Sequence, residues 1–169
     1  MKNLHKLFQS AKAGGFGLWK LNFILGIGIP FNKPHRIKIL KLSDEEVITT
    51  IPYRRSNLNH IKGIHACGLA TAAEYATGLL LLNKLNPASY RIIMQNLEMQ
   101  YHYQAKSDVR AVFSFSESDL LEKVVNPLKE SDVTFVKCQV ELHDSTGNHV
   151  ATGITNWQVK DWKKVKTKV

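Results

Sequence analysis

Glu74 interrupts a run that is otherwise built for burial: Gly63-Ile-His-Ala-Cys-Gly-Leu-Ala-Thr-Ala-Ala-Glu-Tyr-Ala-Thr-Gly-Leu-Leu-Leu-Leu82. After His65 it is the only readily ionised side chain in the run. A helix that is apolar on all sides belongs in a core, and a carboxylate held there is costly unless something pairs or uses it. Desolvated carboxylates concentrate at sites that need a base or a nucleophile. An ion pair with one of the chain's many basic residues is the other reading, and the sequence leaves both open.

The elements that must position this residue follow from size and periodicity. A length of 169 residues suggests one domain with a possible appendage, enough to bury a core without staples. Hydrophobic content of 44% and charged content of 22% are ordinary for a soluble globular protein. Cys67 and Cys138 lie in separate apolar runs and form no Cys-x-x-Cys pair, which speaks against a metal or dithiol site. Both are expected to be buried, in keeping with a reducing, cytoplasmic compartment. The net charge is +9, and the segment 160–169, with five Lys and one Asp, supplies +4 of it. No nucleic-acid motif accompanies the excess, so an anionic small ligand is expected rather than nucleic acid. Residues 13–31 are apolar but interrupted by Lys20 and Asn22, which argues against a signal peptide. Nor is any stretch apolar enough, over roughly 20 residues, to be expected to span a membrane.

Leu4, Leu7, Phe8 and Ala11 recur at helical spacing over 2–12. The Gly-rich stretch 13–31 is expected to be helical or irregular and to pack its aromatic residues, Phe16, Trp19 and Phe23, onto the domain. Segments 35–42 and 46–53 read as a strand pair around Ser43-Asp-Glu45. A basic loop over 54–62 leads to a central helix over 64–82, close to 28 Å long at about 1.5 Å per residue. Strands are predicted over 91–103 and 108–115, then a turn or two of helix within 116–130. A hairpin over 133–143 and 149–160 follows, around Asp144-Ser-Thr-Gly-Asn148. In 91–103, Ile93, Leu97, Met99, Tyr101 and Tyr103 are expected to share one face. One long helix with so many strands points to an α+β domain, a curved antiparallel sheet of five to six strands around the helix. The organisation is then an N-terminal segment 1–33, a domain 34–160 and a basic tail 161–169.

The run Asn59-His-Ile-Lys-Gly-Ile-His65-Ala-Cys-Gly-Leu-Ala-Thr-Ala-Ala-Glu74 resembles the hotdog-fold thioesterases of the phenylacetate-degradation type, nearest to an uncharacterised bacterial branch. In that superfamily an Asn precedes a His-Gly-Gly turn that opens the central helix, and an Asp or Glu follows nine residues after the His. His65 and Glu74 keep the spacing, Asn59 falls at the position of the Asn, and the pair Arg54-Arg55 also resembles the branch. The likeness covers about 34–159. Two features depart from the pattern: His65-Ala66-Cys67 replaces His-Gly-Gly, and the carboxylate is Glu rather than Asp.

The resemblance implies a hotdog fold and hydrolysis of an acyl thioester carried by coenzyme A or an acyl carrier, with no cofactor beyond the coenzyme A of the substrate. Glu74 would attack the carbonyl or activate a water. The amides of Ala66, Cys67 and Gly68, at the positive end of the helix, would hold the oxyanion. Asn59 is a candidate to hold the water or the thioester oxygen, or else caps the helix. His65 either polarises the carbonyl or shapes the loop. Thr77 bonds either the carboxylate or a carbonyl of its own helix. Arg54, Arg55 and Lys62 either meet the carrier's phosphates or are solvated. Cys67 and Glu74 are seven residues apart, about 10 Å along a helix, so one reacting carbon cannot reach both. Two antiparallel helices of a two-fold homodimer, or of a tetramer built from it, would bring them together. A non-catalytic acyl-binding module is an alternative. A dehydratase is another, since His60 and Glu74 have a fourteen-position spacing, but no Pro lies between 53 and 86 to give the His-Phe-Pro-Gly-x-Pro pattern.

Overall fold

A computed structural model of the protein describes residues 2–165. Six segments with apolar residues at two-residue spacing join one antiparallel sheet, in the order β1-β2-β4-β5-β6-β3. The strands are β1 (Lys38–Leu42), β2 (Glu46–Ile51), β3 (Tyr90–Tyr101), β4 (Val109–Ser114), β5 (Val133–Asp144) and β6 (His149–Asp161). The sheet curves around one helix, α3 (Ala66–Lys84), and this is the hotdog arrangement. The part of the basic tail beyond Val165 lies outside the described residues.

Alternation explains which face of each strand turns inward. Val109, Ala111 and Phe113 of β4 are buried, as are Val136, Cys138, Val140 and Leu142 of β5, with exposed residues between them. β3 departs from the expected phase. A bulge between Met94 and Asn96 shifts its register against β6. Ile92 and Met94 pack against the core before the bulge and Met99 after it, whereas Ile93, Tyr101 and Tyr103 are exposed. An unpaired residue in one strand resets the two-residue period, so one continuous face does not exist.

α3 is apolar all round and touches β2, β3, β4, β5 and β6. Ala72, Ala73, Ala76, Leu80 and Leu81 have no exposed surface. Small residues line the closest approach. A Cβ on Gly153 of β6 would lie 2.9 Å from Cβ of Ala73, 3.1 Å from Sδ of Met99 and 3.1 Å from Cγ1 of Val140. The connection after β4 is helical throughout, as α4 (Glu117–Leu120), a π-helical turn (Leu121–Val125) and α5 (Asn126–Glu130), with Leu120 and Val124 buried.

The N-terminal segment forms α1 (Lys2–Lys12) and α2 (Gly15–Gly28), joined by Gly14 and Gly15, both at positive φ. Gly17 lets α2 cross α1, since a Cβ there would sit 2.1 Å from the Ser10 carbonyl oxygen. Asn22 docks α2 on the edge of β1: its side chain donates to the Ile39 carbonyl at 2.9 Å and accepts from the Ile39 amide at 2.8 Å. The expected inward packing of the aromatic residues does not occur. Phe16, Trp19 and Phe23 are 73%, 59% and 57% exposed, while Gly17 and Leu21 face inward. At about 100° per residue, positions 16, 19, 23 and 27 form one stripe, and the crossing with α1 requires the side that carries Gly17.

Gly153→Ala is expected to lower stability by about 1–3 kcal/mol through overpacking, read by chemical denaturation. Combined with Ala73→Gly, which itself costs about 1 kcal/mol in a helix interior, the total loss should be smaller than the sum of the two single losses, because the two sites share one contact.

Candidate functional site

Glu74 lies at the middle of α3, half-buried, on the wall of a cavity of about 140 Å³. Ile29, Gly78, Leu79, Leu82, Ile92 and Trp157 give the cavity apolar walls, and Asn32 and Tyr75 give it polar ones. No cation or hydrogen-bond donor meets the Glu74 carboxylate among the described residues. Burial alone pushes its pKa above the ordinary carboxylate value of 4.5. The Tyr75 phenol is also pushed up, first by burial and then by the neighbouring Glu74 charge.

Thr77 is held away from this chemistry. Its hydroxyl donates within α3, to the Ala73 carbonyl at 3.2 Å or the Glu74 carbonyl at 3.1 Å. It accepts from the Thr155 hydroxyl at 3.2 Å and from Trp157 Nε1 at 3.1 Å. One donor and two acceptor positions exhaust a hydroxyl, so the Thr77 hydroxyl is engaged within the fold as a hydrogen-bond hub. The hub fixes the Trp157 ring over Gly78, where a Cβ would lie 2.8 Å from it.

The start of α3 is organised by His65, its N-cap. Nδ1 of His65 accepts from the Cys67 amide at 3.1 Å, and the His65 carbonyl accepts from the Gly68 amide at 2.9 Å. Of the three amides expected to hold an oxyanion, Cys67 and Gly68 therefore already have acceptors. Ala66 alone makes no such bond among the described residues. Cys67 is exposed, against the expectation of two buried thiols, while Cys138 is buried and pushed up to about 12 by desolvation.

Asn59 closes the preceding turn. Its Oδ1 accepts from the amides of Ile61 at 3.1 Å and Gly63 at 3.0 Å. The Asn that organises this region is Asn57, which the sequence reading passed over. It is buried, its Nδ2 donates to the carbonyls of His35 and Pro52 (both 2.9 Å), and its carbonyl accepts from the His65 amide at 2.8 Å. Arg54, Arg55 and Lys62 remain in the loop without ion pairs among the described residues, and Lys62 has a φ of 58°.

Asn59 and Ala66 share a second groove of about 330 Å³ with Tyr101, at the start of α3. Glu74 is not in it. Ala66 and Glu74 are eight positions apart, about 12 Å along the helix axis, so within one chain the free amide and the carboxylate do not converge. One possible cation cluster, Glu141, His143 and His149, has ligand atoms within 4.8 Å of one another. It lies on the outer face of β5 and β6, across the sheet from α3. No helix is long and apolar enough to cross a membrane among the described residues.

Residues 17–159 match the family described as a domain of unknown function, DUF4442. The chain belongs to this family. No curated protein matches it. Among solved structures, the DUF4442 chain is similar to a probable thioesterase of unknown function from Pseudomonas aeruginosa. The TM-score is 0.77 at 21% identity, over 83% of this chain and 93% of that one. It is similar to a second Pseudomonas aeruginosa thioesterase, solved as a mutant, at TM-score 0.67 and 13% identity over 85% and 94% of the two chains. A thioesterase from Haemophilus influenzae aligns at TM-score 0.68 and 11% identity, over 90% and 96%. At these identities the likeness establishes the shared fold.

A raised carboxylate pKa has a definite sign in stability. Between the unfolded and the folded pKa the native state binds more protons than the unfolded one, so stability falls as pH rises across that window and is level above it. Glu74→Gln removes the fall. The variant should melt above the unsubstituted protein at neutral pH, and the gap should close as pH drops below the ordinary carboxylate value, measured by thermal denaturation across pH.

Proposed function

We propose that this DUF4442 protein hydrolyses acyl thioesters of coenzyme A or an acyl carrier, with Glu74 as general base or nucleophile. The observation that carries the reading is the Glu74 carboxylate: unpaired, desolvated and open to an apolar cavity that an acyl group could enter. The thioesterases on the same fold support the reaction class, and the Asn59, His65 and Glu74 spacing supports kinship with the phenylacetate-degradation type. In the base route Glu74 takes a proton from water. The oxygen attacks the thioester carbon, the C–S bond breaks, and the proton passes to the leaving thiolate.

The oxyanion formed on the way needs a donor that Glu74's own helix end cannot bring. A second copy related by a two-fold axis would supply the Ala66 amide and the positive end of its α3. β3 supports such a pairing. It is a twelve-residue strand at one end of the sheet, with Ile93 and Tyr101 exposed, and a long open edge is a template for another strand. Arg54, Arg55 and Lys62 are then available for the phosphates of the carrier, and no cofactor beyond the substrate's coenzyme A enters the chemistry. A binding module without turnover is the second reading, favoured by the use of the Cys67 and Gly68 amides within the chain.

Glu74→Gln should lower turnover of acyl-CoA thioesters by about a hundredfold or more, followed by thiol release. Binding retained without release in the unsubstituted protein would favour the binding module. Ala66→Pro tests the donor directly. Proline suits the first position of a helix, and His65, at φ −63° and ψ 138°, already has the extended backbone that precedes a proline. The variant should fold, lose the one free amide and fall roughly a hundredfold in kcat. An unchanged kcat would place the oxyanion elsewhere.

A further inference from the structure

Positive charge is concentrated at the two ends of the chain, most of it at the start. The first 43 residues contain eight Lys or Arg and no Asp or Glu. The same region carries a run of exposed large apolar side chains. Phe16, Trp19, Phe23 and Ile27 run along the outer side of α2, and Phe31 follows, at 73%, 59%, 57%, 64% and 66% exposure. The rings of Phe16 and Trp19 stack at 5.5 Å between centroids, and those of Trp19 and Phe23 at 5.6 Å. Beside this stripe runs a groove of about 390 Å³, lined by Trp19 and Phe23 on one side and by Lys33, Arg36 and Lys38 on the other. Lys20 borders the stripe on the side of α1. None of these four cations is ion-paired among the described residues.

We propose that the aromatic stripe of α2, with Phe31 and its rim of Lys20, Lys33, Arg36 and Lys38, is a docking surface for an anionic lipid bilayer. α2 is held on the domain by its inner side, and an exposed aromatic stripe bordered by lysine and arginine can bury its rings among lipid headgroups while the cations meet the phosphates. At fourteen residues α2 is too short to span a bilayer and long enough to lie on one. Charge complementarity selects the occupant. A second copy docked two-fold on this face would bring two sets of cations together, with no acidic side chain in the first 43 residues to offset them. Nucleic acid would meet the cations, but Phe16, Trp19 and Phe23 stack on one another, so a base cannot insert between them. An anionic membrane satisfies both the apolar stripe and the cationic rim. The inference does not depend on thioester hydrolysis, since it concerns binding alone.

The test is co-sedimentation of the full chain with phosphatidylcholine vesicles, with and without about one-third phosphatidylglycerol. Binding is expected to the anionic vesicles, to weaken with added salt, and to be much weaker to phosphatidylcholine alone. Trp19→Ser with Phe23→Ser should weaken binding about tenfold or more. Lys33→Gln with Arg36→Gln should do the same through charge. Circular dichroism and melting should stay near those of the unsubstituted protein, because all four side chains are exposed. Failure to sediment with anionic vesicles overturns the proposal, as does undiminished binding by the aromatic variant. Self-association abolished by Trp19→Ser, without vesicle binding, assigns the face to a second copy instead. Retention on single-stranded RNA without vesicle binding assigns the charge to nucleic acid.

Discussion

The arrangement of the domain turns on a half-buried carboxylate held without a counter-ion among the described residues. Holding Glu74 in this way favours its neutral form and opposes folding at neutral pH. The surrounding packing offsets that cost. Ala72, Ala73 and Ala76 let the sheet close on α3 next to the residue, and the hydrogen bonds among Thr77, Thr155 and Trp157 fix the indole that forms part of its cavity wall. A satisfied polar hub beside an unsatisfied carboxylate is a coherent division of labour. The hub makes the wall rigid, and rigidity keeps the carboxylate from turning aside to find a partner or bulk water.

The same economy governs the start of α3. Four N–H groups at a helix start need acceptors from outside the helix ladder. His65 provides two of them, one through its ring and one through its carbonyl. Asn57 in turn fixes the His65 amide and ties the loop to His35 and Pro52. These bonds hold the helix end in one place and leave a single outward amide, at Ala66. With Gly at the second position, as in the His-Gly-Gly pattern, backbone could approach this end more closely. With Cys67 there, the exposed thiol side chain occupies part of that approach.

How much of this was legible in the sequence depends on whether local pattern or distant partners decided it. β4, the β5–β6 hairpin and α3 were legible because two-residue alternation, turn chemistry and a long apolar run are local signals. The β3 phase was not, since a bulge at Gln95 resets the alternation and nothing in Met94-Gln-Asn96 announces it. For the aromatic residues of α2, hydrophobicity alone predicts burial. α2 has no polar face to compare, however, and the side that packs was chosen by the fit of Gly17 against Ser10. Glu74 stood out by contrast with its neighbours. The choice between Asn57 and Asn59 lay beyond such contrast, because the bonds that bury Asn57 go to His35, 22 positions earlier, and to Pro52. Thr77 follows a local rule: a buried threonine in a helix first satisfies its own backbone and then its neighbours.

The N-terminal segment links the surface of the protein to its interior. Ile29, at the end of α2, and Asn32, in the turn after it, form one side of the Glu74 cavity. Asn32 and Tyr75 also line the groove under Trp19 and Phe23. The groove outside and the cavity inside are thus walled in part by the same residues. Burial raises the Glu74 pKa, and residues more than forty positions earlier in the chain, Ile29 and Asn32, wall the cavity beside it. Asn22, clamped to both backbone groups of Ile39, holds α2 on β1, which makes the α2–β1 contact part of the surroundings of the site as well as of the fold.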